Sequence, residues 1–279
     1  MKMKKTVICM MLGAAALATS CVSENHSELE PSDTGKGTGV LTIDLKSDLS
    51  FANATRALEE SDYHNTDNYH VQLVKVEDES VVFTCLASEL GSHLPCNLPI
   101  GERYRVEAWY GTEHDASRDE FRVEGSDEFS VESEEQKKLT IECTPTCGKL
   151  TVAFDEAMAT YYETYDVTYS GTEALGDKTI TWAADDTEPW YVALNEGGEY
   201  ITYTINLTTK EEYAHVEGDQ QTTTAKVTGK FKLQRNRAQK LTIRPNYKPG
   251  TAGVEILITI DDSTNDKEID WEVPTEWIF

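Results

Sequence analysis

The chain of 279 residues carries 25 basic and 50 acidic side chains, a net charge of −25, which argues against nucleic acid or an anionic lipid surface as an electrostatic partner. Thirteen Tyr and five Trp are too many for a disordered acidic chain, so a folded protein with a heavily solvated exterior is indicated. The length suffices for two domains of ordinary size.

Residues 1–20 read as an export signal: Lys2, Lys4 and Lys5 precede an apolar run from Thr6 to Leu17, and the small residues Ala18, Thr19 and Ser20 lead into Cys21. A signal peptidase needs small side chains just before its cut, and a cysteine immediately after the cut can take a diacylglyceryl group on its thiol. Cys21 is therefore the expected lipidation site. The run is shorter than the roughly 20 apolar residues of a spanning helix. The processed chain is expected to hang from the outer membrane by acyl chains, facing the periplasm or the exterior, with residues 21–36 as a polar tether rich in Ser, Glu, Asp and Gly.

Past the tether, short matches recur in the same order in two halves. Gly39-Val-Leu-Thr-Ile-Asp-Leu45 matches Gly148-Lys-Leu-Thr-Val-Ala-Phe154, and Tyr69-His-Val-Gln-Leu73 matches Tyr165-Asp-Val-Thr-Tyr169. Leu98-Pro-Ile-Gly-Glu-Arg-Tyr104 matches Leu194-Asn-Glu-Gly-Gly-Glu-Tyr200 as L-x-x-G-x-x-Y, and Lys138-Leu-Thr-Ile141 matches Lys240-Leu-Thr-Ile243. Apolar residues at every second position within these segments fit half-buried strands. Gly101 and Gly197 are placed where a turn needs positive φ. The expected fold is all-β, two tandem β-sandwiches (Ig-like or transthyretin-like) over residues 37–144 and 148–279, with Leu41, Ile43, Leu150, Val152 and Phe154 buried. A short helix around residues 155–163 is expected to cover a sandwich end. After it come a further alternating strand through Val254, Ile256, Ile258 and Ile260, and an acidic loop over residues 261–268.

Beyond the signal and Cys21, the cysteines are Cys85, Cys96, Cys143 and Cys147. In an oxidising compartment they permit three disulfide pairings, while Cys85 and Cys143 equally extend alternating apolar rows as buried small hydrophobes. A zinc site through Cys85, His93 and Cys96 has irregular spacing and no fourth ligand, so no metal or cofactor is expected. No nucleophile elbow, zinc-protease helix or phosphate loop occurs in the sequence. The acidic pairs Glu59-Glu60 and Asp185-Asp186 read as solvated faces. Four of the five tryptophans (Trp182, Trp190, Trp271, Trp277) lie in the second half. Trp190 and Trp277 are the candidates for stacking on a sugar ring, with core or rim packing as the competing role.

The layout resembles an uncharacterised family of Bacteroidetes surface lipoproteins. The resemblance rests on Gly39–Leu45 as a G-x-L-x-L first strand, on Thr55-Arg56-Ala57, on Leu98-Pro-Ile-Gly101 with Tyr104–Ala108, on Gly125-Ser126 with Phe129-Ser-Val131, and on Cys143. Phe121-Arg-Val departs from it where a pair of aromatics is expected. These lipoproteins are architecturally similar to two-domain fimbrial subunits and pilus anchors, in which a protease cuts after an arginine following the first strand. The resemblance implies Arg56 as the candidate processing site and β-augmentation by a neighbour's strand. The expected function is non-enzymatic: adhesion or fimbria-type assembly at the cell envelope, with pilus-type subunits or host and neighbour-cell ligands as partners. The alternative is a glycan-binding surface lipoprotein assisting an outer-membrane importer.

Overall fold

The computed structural model describes residues 37–51, 60–132, 136–217, 220–248, 254–262 and 265–272. Cys21, Arg56 and Trp277 lie outside them. In the first half the strands are β1 (Thr38–Ser47), β2 (His70–Lys75), β3 (Ser80–Leu86), β4 (Cys96–Pro99), β5 (Arg103–Tyr110), β6 (Ala116–Ser117), β7 (Val123–Ser130) and β8 (Gln136–Pro145). The second half begins after Thr146 with β9 (Cys147–Phe154), β10 (Tyr162–Ser170), β11 (Ile180–Ala183), β12 (Trp190–Ala193) and β13 (Glu199–Thr209). It continues through the small hairpin β14 (His215–Glu217) and β15 (Gln220–Thr222) to β16 (Thr224–Leu233), β17 (Ala238–Asn246), β18 (Glu255–Asp262) and β19 (Asn265–Glu272). No helix among the described residues is long and apolar enough to cross a membrane.

The halves share one topology. Strands β4-β1-β8 face β3-β2-β5-β7 in the first sandwich, and β12-β9-β17 face β11-β10-β13-β16 in the second. In both, the first strand runs parallel to the last one of the repeat (β1 with β8, β9 with β17), while the other pairings are antiparallel. The chain must therefore traverse the whole sandwich before its first strand is flanked on both sides. Each core is filled by the alternating residues: Leu41, Val71, Leu73, Val106 and Ile141 in one, Leu150, Val167, Tyr169, Ile205 and Ile243 in the other.

The register corrects one of the sequence matches. Leu98 pairs with Gly39 as Val192 pairs with Gly148, so Val192, not Leu194, is its counterpart. The positive φ falls at Gly101 (86°) and Gly198 (68°), not Gly197. Tyr104 is then matched by Ile201, each facing a phenylalanine across the ladder (Phe129, Phe231). A one-residue slip turns every side chain to the opposite face, which is why Tyr104 is 3% exposed and Tyr200 67%.

Burial departs from expectation at two positions. Leu41, Leu150 and Val152 are in the core. Ile43 and Phe154 are only partly covered, because each packs at the margin of its core, Phe154 against Tyr165 with ring centroids 4.9 Å apart. Three one-turn helices, α1 (Ser61–His64), α2 (Leu90–His93) and α3 (Met158–Tyr161), cover loop ends; α3 falls within the expected helical segment and buries Met158 completely. The expected acidic loop over 261–268 is largely strand, since β18 runs to Asp262 and β19 starts at Asn265.

Candidate functional site

Polar and aromatic side chains gather at the junction of the sandwiches, at an aromatic pair beside it, and along an open edge of the first sandwich. At the junction, β9 is buried on both faces. Leu150 and Val152 fill their own core, while Lys149 (0% exposed) and Cys147 meet the first sandwich. Lys149 Nζ lies 2.8 Å from Glu60 Oε1, which also accepts a hydrogen bond from the Tyr191 hydroxyl at 2.8 Å. Phe51 and Tyr191 flank the ammonium at 5.9 and 5.8 Å. Phe121 stacks on Tyr63 and Tyr191 with centroids 4.0 and 4.6 Å away. Burial and the adjoining carboxylate push the Tyr191 phenol well above its ordinary range. Glu60 is thus no solvated acid: a fully buried lysine requires a charge partner, and Glu60 supplies it.

The chain itself sews the junction. β6 pairs with β12. Asn236, in the left-handed region at φ 55°, which asparagine visits more readily than most residues, accepts from the Ser50 amide at 2.8 Å and donates to Asp48 at 3.2 Å. Phe51 and Glu60, which bracket the stretch containing Arg56, are both buried here.

Beside the junction, Arg118 makes a two-pronged contact with Asp186, one N–H reaching Oδ1 at 2.7 Å, and this guanidinium holds the Asp186 carboxyl below its ordinary range. Asp186 is therefore also a structural partner and not a free acid. The guanidinium lies 4.7 Å from the Trp190 ring centroid and 5.7 Å from that of Trp182. Trp190 is partly buried, and its indole N–H is buried without a hydrogen-bond partner among the described residues. Its ring thus already carries an intramolecular cation–π contact. Trp182 is wholly buried and donates to the Glu188 carbonyl at 2.8 Å.

The third place is the edge between β7 and β8. These strands pair only at Val123 with Pro145 and Glu124 with Thr144. At Gly125 they still cross in contact, where an added Cβ would lie 2.3 Å from the Glu142 carbonyl oxygen, so only glycine fits. Beyond that point they splay. The outer edges of Gly125–Ser130 and Gln136–Cys143 have no ladder partner among the described residues. A cavity of about 390 Å³ opens in the wedge, lined by Asp127, Phe129, Ser130, Lys137 and Leu139. Asp127 stands opposite the buried Val106 yet is exposed, as expected of a core-side position left uncovered. On the outer face a second cavity of about 790 Å³ brings Trp109, Arg122 and Glu142 of the first sandwich beside Glu196 and Arg235 of the second. Trp109 stacks on His70 at 5.5 Å with Arg122 at 5.7 Å. Trp109 is the one tryptophan of the first half, and no local pattern marks it, because only the pairing of β5 with β7 brings Arg122 beside it.

The four cysteines are free thiols, with Cys85, Cys143 and Cys147 buried. Burial raises all four thiols, that of Cys143 up to about 12. His93 stacks on Phe83 at 5.2 Å, and among the described residues no three His, Cys, Asp or Glu side chains converge as metal ligands.

Several solved structures match the chain at low identity. A candidate polysaccharide-binding protein of Bacteroides thetaiotaomicron is 12% identical over 86% of this chain and 99% of its own, with a TM-score of 0.43. A candidate cell adhesion protein of Bacteroides eggerthii is 11% identical, covering 82% and 97%, with a TM-score of 0.43. A fimbrial assembly protein of Parabacteroides distasonis is 9% identical, covering 85% and 99%, with a TM-score of 0.42. No curated protein matches the chain. Residues 37–275, spanning both sandwiches, match the family model described as a domain of unknown function, DUF4493, and the chain belongs to that family.

Proposed function

We propose that this chain is a non-enzymatic cell-envelope lipoprotein, anchored to the outer membrane through acyl chains on Cys21, that acts in adhesion or fimbria-type assembly. The observation that carries the reading is the splayed β7–β8 edge. An unpaired strand edge is a liability that folds normally cover, and it is the surface through which sheets add strands from other chains. The stitched junction supports the same role, because a body bearing load or display at a surface gains from sandwiches that cannot swing freely. Cleavage after Arg56 belongs to the reading as a proposal. Its consequence is constrained by the fold, since β1 is paired along its length with β8 and held at Asp48–Phe51 by the junction.

Replacing the native protein with Cys21→Ala in its own host tests the reading. The expected result is loss of the membrane-bound form together with reduced attachment or filament assembly. Attachment and assembly that persist unchanged without any anchored protein would refute it. Glycan binding remains a second reading because of the Trp109 cavity. It requires that Trp109→Ala remove binding on a glycan array, and a wild-type protein that binds no glycan there eliminates it.

A further inference from the structure

The two repeats differ at one decisive position. In the second sandwich the flank of β17 away from β9 is occupied: β18 runs antiparallel along it from Gln239–Asp262 to Asn246–Glu255, burying Val254, Ile256 and Ile258. In the first sandwich no strand among the described residues pairs with the corresponding flank of β8 from Gln136 to Ile141, and β7 meets it only further on, crossing at Glu142–Cys143 and pairing at Thr144 and Pro145. The ladder partners make the correspondence exact in register, because Thr42 pairs with Lys138 as Thr151 pairs with Lys240. Both acceptor strands then read Lys-Leu-Thr-Ile, at 138–141 and 240–243.

We propose that the open flank of β8 is a strand-accepting site for an extended segment of a separate partner protein, one with aliphatic residues at alternate positions ending in two adjacent carboxylates. The proposal rests on the assembly reading above and specifies its partner. The chemistry follows from transferring the β17–β18 register. Ile258 and Ile260 stand opposite Ile243 and Leu241, and Asp261 and Asp262 opposite Lys240 and Gln239. On β8 the same spacing puts aliphatic residues opposite Ile141 and Leu139 and two carboxylates opposite Lys138 and Lys137. Lys137, where the second sandwich has Gln239, is what makes this acceptor the more basic, because Lys138 is already ion-paired with Asp44 of β1 at 2.8 Å. Lys137 shares the core-side alternation of Leu139 and Ile141, and a core-side charge at a free edge deters strands that cannot neutralise it. The facing wall carries Asp127 and Glu128, which sets the carboxylates against β8 and not β7. A second copy is a poor donor, since each copy's own β18 is already seated and buried.

The probe is a synthetic peptide of the sequence Ile-Thr-Ile-Asp-Asp, which in the transferred register lies opposite residues 141 to 137, titrated into the lipidated full chain in detergent and followed by anisotropy and by amide hydrogen exchange. Binding should protect residues 136–141 and leave 238–246 unchanged. Lys137→Glu, which leaves the Lys138–Asp44 pair intact, should weaken it about fivefold, an opposed charge pair becoming a like-charge pair, and a peptide with Lys as its last residue should bind this variant better than the wild type. Protection at 238–246 instead, no protection at all, or indifference to the charge reversal would overturn the proposal. So would protection of 136–141 by self-association without peptide, which would make a second copy the occupant. Each of these outcomes concerns the edge in isolation, so the attachment phenotype of Cys21→Ala can stand or fall separately.

Discussion

The Lys149–Glu60 pair gives the most quantitative handle on the junction. Lys149 is 0% exposed and Glu60 8%, and the carboxylate oxygen facing the ammonium is also the acceptor for Tyr191. Replacing Glu60 with Gln keeps a hydrogen-bond acceptor but removes the charge facing a buried ammonium, and Lys149→Met strands the carboxylate. Removal of one partner of a buried pair costs about 3–5 kcal/mol, whereas replacing both with apolar residues of similar volume is often neutral or better. Lys149→Met and Glu60→Leu should each destabilise by about 3 kcal/mol or more. Their combination should cost less than either, giving a coupling energy of more than about 3 kcal/mol in magnitude in a double-mutant cycle. Urea unfolding at pH 7 measures all four forms, and a loss of 3 kcal/mol corresponds to roughly 10 °C in Tm for a chain of this size. Single substitutions costing under about 1 kcal/mol, or a double substitution equal to the sum of the singles, would refute the placement of this pair as the charge-balanced centre of the junction.

Gly125→Val should destabilise by about 2 kcal/mol or more, through the clash with the Glu142 carbonyl where β7 and β8 cross; a melting curve unchanged from wild type would mean the strands do not touch there. Asp186→Asn should cost about 1 kcal/mol at pH 7, discounted for partial exposure. Because Arg118 depresses the folded Asp186 carboxyl below its ordinary value of 3.8, the contribution is complete above that value and is lost as pH falls through the depressed folded value. The gap to wild type should therefore close in strong acid, and a gap that persists there contradicts the assignment. Native thiol titration at pH 8 should label Cys96, the only one of the four that is not fully buried, well before Cys143 and Cys147, with equal labelling of all four counting against the fold. N-terminal sequencing of protein recovered from its own envelope should show either a blocked start at Cys21 or a start at Ala57, and the latter alone establishes processing after Arg56.

What could be read from one dimension was whatever follows from alternation. The strands through Leu41, Val71, Val106, Leu150 and Val167 were legible because a half-buried strand must place apolar side chains at every second residue, and the repeat was legible because those patterns recur in order. Register across the longer second turn was not: Leu194, Gly197 and Tyr200 imitate Leu98, Gly101 and Tyr104 in spacing, yet three-dimensional pairing sets Val192, Gly198 and Ile201 in their places. Glu60 and Lys149 illustrate the harder limit. Gly-Lys-Leu-Thr-Val and Gly-Val-Leu-Thr-Ile carry the same alternation, which assigns Lys149 to a solvated face by the same logic that assigns Thr42 to one. Only the docking of one sandwich on the other covers that face of β9, and the charge it traps there is balanced by a residue far away in sequence. The open flank of β8 is of the same kind. Local sequence gives β8 and β17 the same Lys-Leu-Thr-Ile core, and it is the presence of β18 along one and, among the described residues, of no paired strand along residues 136–141 of the other that separates a finished edge from one left available, because hydrogen-bond completion belongs to the sheet and not to the strand.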